Sequence, residues 1–131
     1  MATLTTTLTM VSVDAFAHQP ISISTNIASS VEAPYTDLSR VAAPLAGWVD
    51  LVGTGGGDVL YFYIKNTGVQ ASNGATVTHA ISVRNASSEQ IATLGANEFL
   101  FIPVSAGEGI EIGTPSGAAV FAEYLYMTKN V

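Results

Sequence analysis

The run Gly53-Thr54-Gly55-Gly56-Gly57-Asp58 is the stretch of the chain most suggestive of chemistry. Glycine-rich turns cradle phosphates when their backbone N–H groups open a helix, often with a Lys and a Ser or Thr beside them. Here the run leads into an alternating, strand-like segment and ends on an acid, so it reads as a hairpin loop. His18 and His79 stand far apart and outside any HxxxH or HExxH spacing. No Gly-x-Ser-x-Gly elbow is present, and Ser105 lies in a Val-Ser-Ala-Gly turn. Glu98, Glu108, Glu111 and Glu123 are the candidates for paired acid–base work on a glycosidic bond. Alternation turns Glu111 and Glu123 outward, where solvation accounts for them.

The remaining chemical options are equally thin. The acidic turn Gly107-Glu108-Gly109 offers oxygen ligands but no ladder of them such as a calcium loop needs. With no cysteine there is neither a disulfide framework nor a thiolate zinc site. Asn85-Ala86-Ser87 fits a glycosylation sequon, but Met1 to Thr7 lacks the basic and apolar regions of a secretory signal. No catalytic residue, cofactor or metal is expected, and the chain reads as a structural or binding component, not an enzyme.

Charge narrows the partners. Only 11% of the 131 residues are charged and the net charge is −6, against about a quarter charged in ordinary soluble domains. Arg40, Lys65, Arg84 and Lys129 are the only basic side chains, and they are scattered. Nucleic-acid binding needs a basic stripe that displaces counterions, so DNA and RNA are not expected as partners. No apolar run approaches the ~18 residues of a spanning helix.

The elements that would position these residues are strands. Period-two alternation recurs at Leu8 to Val13, Ile21 to Ile27, Trp48 to Val52, Asp58 to Asn66, Ile81 to Arg84, Gln90 to Leu94, Phe99 to Ile102, Ile110 to Ile112 and Ala119 to Thr128. Turn signals such as Asn66-Thr67-Gly68, Asn73-Gly74 and Gly95-Ala96-Asn97 separate several of the runs. The spacing predicts an all-β, antiparallel β-sandwich of jelly-roll type with about eight strands, in one domain covering 1–131. An N-terminal strand or arm is expected over about 1–13, and an irregular connection over about 28–45. The expected core is Leu60, Phe62, Ile64, Ile81, Val83, Phe99, Phe101, Ile110, Ile112 and Tyr124. In the strands around Leu60–Ile64 and Phe121–Met127, large apolar groups occupy both faces. A half-solvated antiparallel strand is polar on one side, and exposed aromatic patches mark interfaces.

Four runs then carry a resemblance. Asp58-Val-Leu-Tyr-Phe-Tyr-Ile-Lys-Asn-Thr-Gly68, His79-Ala-Ile-Ser-Val-Arg-Asn85, Ile91-Ala-Thr-Leu-Gly-Ala-Asn-Glu-Phe-Leu-Phe-Ile-Pro103 and Phe121-Ala-Glu-Tyr-Leu-Tyr126 together resemble small virion proteins of tailed bacteriophages, as does the opening Ala2-Thr-Leu-Thr-Thr-Thr. The match is one of strands and turns, and Ala28 to Gly57 lies outside it. The resemblance implies a capsid decoration, or cement, protein on the virion surface, made in the host cytoplasm and bound to the major capsid protein. Few charges, many apolar residues and two strands apolar on both faces point to a homo-oligomer, and the resemblance implies that it is a trimer, because decoration proteins often sit on threefold positions. The interface residues expected are Leu4, Leu8, Met10, Tyr61, Tyr63, Leu125, Tyr126 and Met127. The alternative is a tail- or neck-associated component or a host-glycan-binding module, for which Trp48, Tyr35 and Asn73 are the candidates.

Overall fold

A computed structural model describes residues 2–13, 21–54 and 59–129. His18, Gly55 to Asp58 and the last two residues of the expected tail, Asn130 and Val131, lie outside the described residues. Ten strands and no helix occur among those described. The chain divides into two compact units, Met1–Glu32 with Lys129–Val131, and Ala33–Thr128.

The first unit is a hairpin of β1 (Ala2–Ser12) and β2 (Ile21–Tyr35), the last residues of β2 belonging to the second unit. Its register runs unbroken from Ala2↔Val31 to Ser12↔Ile21. Directly opposed residues share a face. Leu4, Leu8 and Met10 therefore lie beside Ile23 and Ile27, while Thr3, Thr5, Thr7 and Thr9 lie beside Ser30, Ala28, Asn26 and Ser24.

The second unit holds β3 (Ser39–Ala43), β4 (Val49–Val52), β5 (Leu60–Gln70), β6 (Ile81–Arg84), β7 (Gln90–Leu94), β8 (Phe99–Val104), β9 (Ile110–Gly113) and all but the last residue of β10 (Val120–Lys129). One sheet carries the order β3-β10-β5-β8 and the other β4-β9-β6-β7, all antiparallel. Counting these eight strands from β3, the sheets read 1-8-3-6 and 2-7-4-5, which is the interleaved double Greek key of a jelly roll. Between the sheets lie Leu60, Phe62 and Ile64 of β5, Val120 and Ala122 of β10, Ile81 and Val83 of β6, and Ile110 and Ile112 of β9.

The β8 face is opposite to expectation. Leu100 and Ile102 pack on the core and Phe99 is 59% exposed. The register decides this: Ile64 faces Leu100 and Phe62 faces Ile102, so Phe101 falls opposite Tyr63 and Phe99 opposite Lys65. Tyr124 packs against the core from a half-buried position. The expected irregular connection over 28–45 is instead largely the end of β2 and the whole of β3. Ser39–Ala43 pairs with Tyr124–Val120, and this segment lacks clean alternation because Ala and Pro replace the larger residues that announce strands.

Asn66-Thr67-Gly68 is not a turn. Strand β5 continues through it, with Gly68 at φ +69°. Between the pairs Ala122↔Asn66 and Val120↔Gln70 the strand β5 holds extra residues, a bulge that Gly68 accommodates. The side chain of Asn66, fully buried, donates from Nδ2 to the carbonyls of His79 and Leu94, each at 2.9 Å, and its Oδ1 accepts the Gly68 N–H at 2.9 Å. Leu94 belongs to the opposite sheet, so this amide ties the two layers together at the bulge.

Candidate interaction surfaces

The outer face of the β8-β5-β10 sheet gathers the larger set of apolar side chains. Cross-strand register builds it in three rungs: Pro103·Tyr61·Met127, Phe101·Tyr63·Leu125, and Phe99·Lys65·Glu123. Tyr61 stacks on Phe101 with centroids 5.8 Å apart, and Tyr63 leans on Phe99 at 6.5 Å. Both are diagonal contacts of the kind that aromatic rings reach across antiparallel strands. The third rung is charged, and it continues into β3, where Arg40 lies 3.7 Å from Glu123 with its guanidinium 5.0 Å from the Phe121 ring centroid. Burial, and then the nearby Glu123 carboxylate, raise the Tyr63 hydroxyl above its ordinary pKa of 10.0.

Of the expected interface residues, Tyr61, Tyr63, Leu125 and Met127 share this face. Tyr126 does not: it pairs with Phe62 and packs on the core, because it stands one residue out of phase with its neighbours. Leu4, Leu8 and Met10 share one face of the hairpin in the other unit. Phe99, Phe101 and Pro103 belong to the sheet surface and were missed. The run Phe-Leu-Phe-Ile is apolar at every position, so period two assigns it no face; its pairing with β5 does. Ile23 and Ile27 belong beside Leu8, which the alternation of two separate strands does not reveal until they are paired.

The acidic candidates each have a local partner. The Gly95 N–H donates to Glu98 Oε2 at 2.6 Å, closing the Leu94-to-Glu98 turn. Glu108 accepts from Asn85 Nδ2 at 3.2 Å. Glu111 pairs with Arg84 at 2.7 Å, and the Arg84 guanidinium lies 3.7 Å from the Trp48 ring centroid. Asn85 is 8% exposed, its Nδ2 donates to Glu89 and Glu108, and its Oδ1 accepts from the Ser87 and Glu89 N–H groups, so the amide of the sequon has a structural use. Among the described residues no cluster of three or more His, Cys, Asp or Glu side chains is placed to hold a metal.

A second, smaller feature is a recess of about 180 Å³ walled by Gly47, Trp48, Ser82, Thr114 and Pro115. A Cβ on Gly113, beside it, would collide with the Gly47 carbonyl oxygen, so the backbones meet there at glycine–glycine distance. Trp48 lines the recess but Asn73 does not, and Tyr35 is described in its backbone alone. Compared with protein-family models, curated proteins and solved structures, the chain matches none.

Proposed function

We propose that this chain is a structural virion protein, a capsid decoration protein of a tailed phage that docks on the major capsid protein at the shell surface. The fold alone does not choose a function, since jelly rolls serve capsid and lectin domains alike. The observation that carries the reading is the outer face of the β8-β5-β10 sheet. Its aromatic rungs are backed by a packed core and run from a buried Tyr61 to an exposed Phe99, giving a rigid contact surface with two uncharged rungs and a charged rim of Lys65 and Glu123 beside Phe99. The sequence runs that resemble phage virion proteins include all three strands of that face. In this role the chain needs no cofactor and performs no catalysis.

The test is co-sedimentation of the purified protein with particles that lack it. Wild type binds to saturation, and Phe99→Glu, which charges the exposed end of the face, reduces occupancy at least tenfold. Full occupancy by Phe99→Glu would overturn the reading. The alternative, a host-glycan-binding module, finds support in the Trp48 recess. Trp48 is the only tryptophan, so quenching of its fluorescence by simple sugars would favour that alternative.

A further inference from the structure

We propose that the apolar face of the β1–β2 hairpin is covered by the same face of a second copy of this chain. The hairpin is amphipathic in a simple way. Leu4, Leu8, Met10, Ile23 and Ile27 share one face, and Thr and Ser dominate the other. The two strands do not cover that face themselves: Leu8 is 41% exposed, Ile23 46%, Met10 49% and Ile27 57%. Strand β1 pairs with β2 and with no other described strand. It carries no proline, no charge and no bulge, the usual devices that keep an edge strand from a neighbour.

Charge identifies the occupant. Residues 2–13 and 21–31 contain no Asp, Glu, Lys or Arg, although the chain as a whole carries −6. In a twofold contact each residue near the axis meets its own copy, so any charge there would face a like charge. A charge-free face is the condition for such a contact between copies that otherwise repel. A lipid surface would select Lys or Arg with Trp or Tyr beside the apolar residues, and these segments have none. A different protein seated on this face would leave the isolated chain monomeric at every concentration, an outcome that the experiment below detects. Eleven paired residues at ~3.4 Å each give a face roughly 37 Å long and about 10 Å wide. That is about half of the ~800 Å² per partner of a standard interface, so the association dissolves on dilution.

The inference concerns the isolated chain and does not depend on the shell-binding reading. Sedimentation velocity over about 1 µM to 1 mM is expected to show concentration-dependent self-association of wild type. Leu8→Glu gives a monomer, whereas Thr7→Glu, which places the same charge on the opposite face one residue away, associates as wild type does. Far-UV circular dichroism checks that both remain β-folded. Because the chain lacks cysteine, Leu8→Cys and Thr7→Cys provide a second test under mild oxidation. Leu8→Cys forms a disulfide-linked pair and Thr7→Cys does not. A wild type that stays monomeric at the highest concentration, a Leu8→Glu variant that still associates, or equal cross-linking at both positions would each overturn the inference. No outcome of the particle-binding experiment bears on it.

Discussion

Replacing Asn66 by alanine removes three hydrogen bonds at the point where the two sheets are tied. The Leu94 carbonyl and the Gly68 N–H lose their side-chain partner in buried surroundings, while the His79 carbonyl is only part-buried. A buried polar group left unpaired costs about 1–3 kcal/mol. Two such groups therefore cost roughly 2–6 kcal/mol, a large share of the 5–15 kcal/mol that holds a typical domain folded. At roughly 3–5 °C per kcal/mol for a chain of this size, a central value near 4 kcal/mol lowers the melting temperature by about 10–20 °C. Differential scanning calorimetry of Asn66→Ala measures this directly. Asn66→Asp adds a sharper test. The carboxylate retains an acceptor for Gly68 but turns its other oxygen toward two carbonyls, so burial and those dipoles raise its pKa. A group whose folded pKa is raised contributes its stability below the unfolded value and loses it as pH rises through the folded one. Asn66→Asp is thus expected to recover stability toward acid. An Asn66→Ala melting point within about 2 °C of wild type, or an Asn66→Asp whose deficit does not change with pH, would refute the reasoning.

Three other outcomes follow from the packing. Phe62, fully buried between the sheets, is expected to cost about 3–5 kcal/mol on truncation to alanine, read from urea denaturation. Gly113→Ala forces a methyl group into the Gly47 backbone and is expected to cost about 1–3 kcal/mol by overpacking; unchanged thermal stability would mean the segment at Gly47 moves aside from β9 freely. The raised Tyr63 hydroxyl favours its neutral form in the folded state, so its contribution is present below pH 10 and is lost as pH rises through the raised value. Tyr63→Phe should therefore remove part of the alkaline destabilisation seen in a pH series of melting curves.

The jelly roll was legible from alternation and turn spacing because most strands bury one face only. Leu60-Phe62-Ile64, Ile81-Val83 and Ile110-Ile112 all point inward as period two demands. Legibility failed where that contrast was missing. β8 is apolar on both faces, and only its pairing partner settles that Leu100 and Ile102 point inward. β3 is short and built from Ser, Arg, Val and Ala, so nothing in its hydrophobicity marks it; it becomes a strand because β10 offers an edge. The Asn-x-Gly signal at residue 66 announced the positive φ at Gly68 but not its setting, since bulges and turns use the same residues. The role of Asn66 itself depends on carbonyls 13 and 28 residues away, which no local pattern encodes. For the candidate surfaces, the individual apolar residues were visible in the sequence, but their grouping into faces required the register.

The few charges of this chain lie outside the paired residues of the hairpin, and this has a consequence for salt. Arg84 is spent on Glu111 and the Trp48 ring, and Arg40 on Glu123 and the Phe121 ring. The hairpin face carries no charge at all, and two of the three rungs of the sheet face carry none. At 0.1 M salt charges interact over about 10 Å, and at 1 M over only about 3 Å. Contacts built on ion pairs weaken over that range, whereas contacts built on apolar area do not. For copies that each carry −6, screening also relieves their mutual repulsion. Self-association through the hairpin is therefore expected to strengthen, or at least hold, when sodium chloride is raised from about 0.1 M to about 1 M, as read from sedimentation coefficients at fixed protein concentration. Dissociation at high salt would place the contact on charged residues outside the hairpin, and the assignment of its apolar face to a second copy would then be wrong.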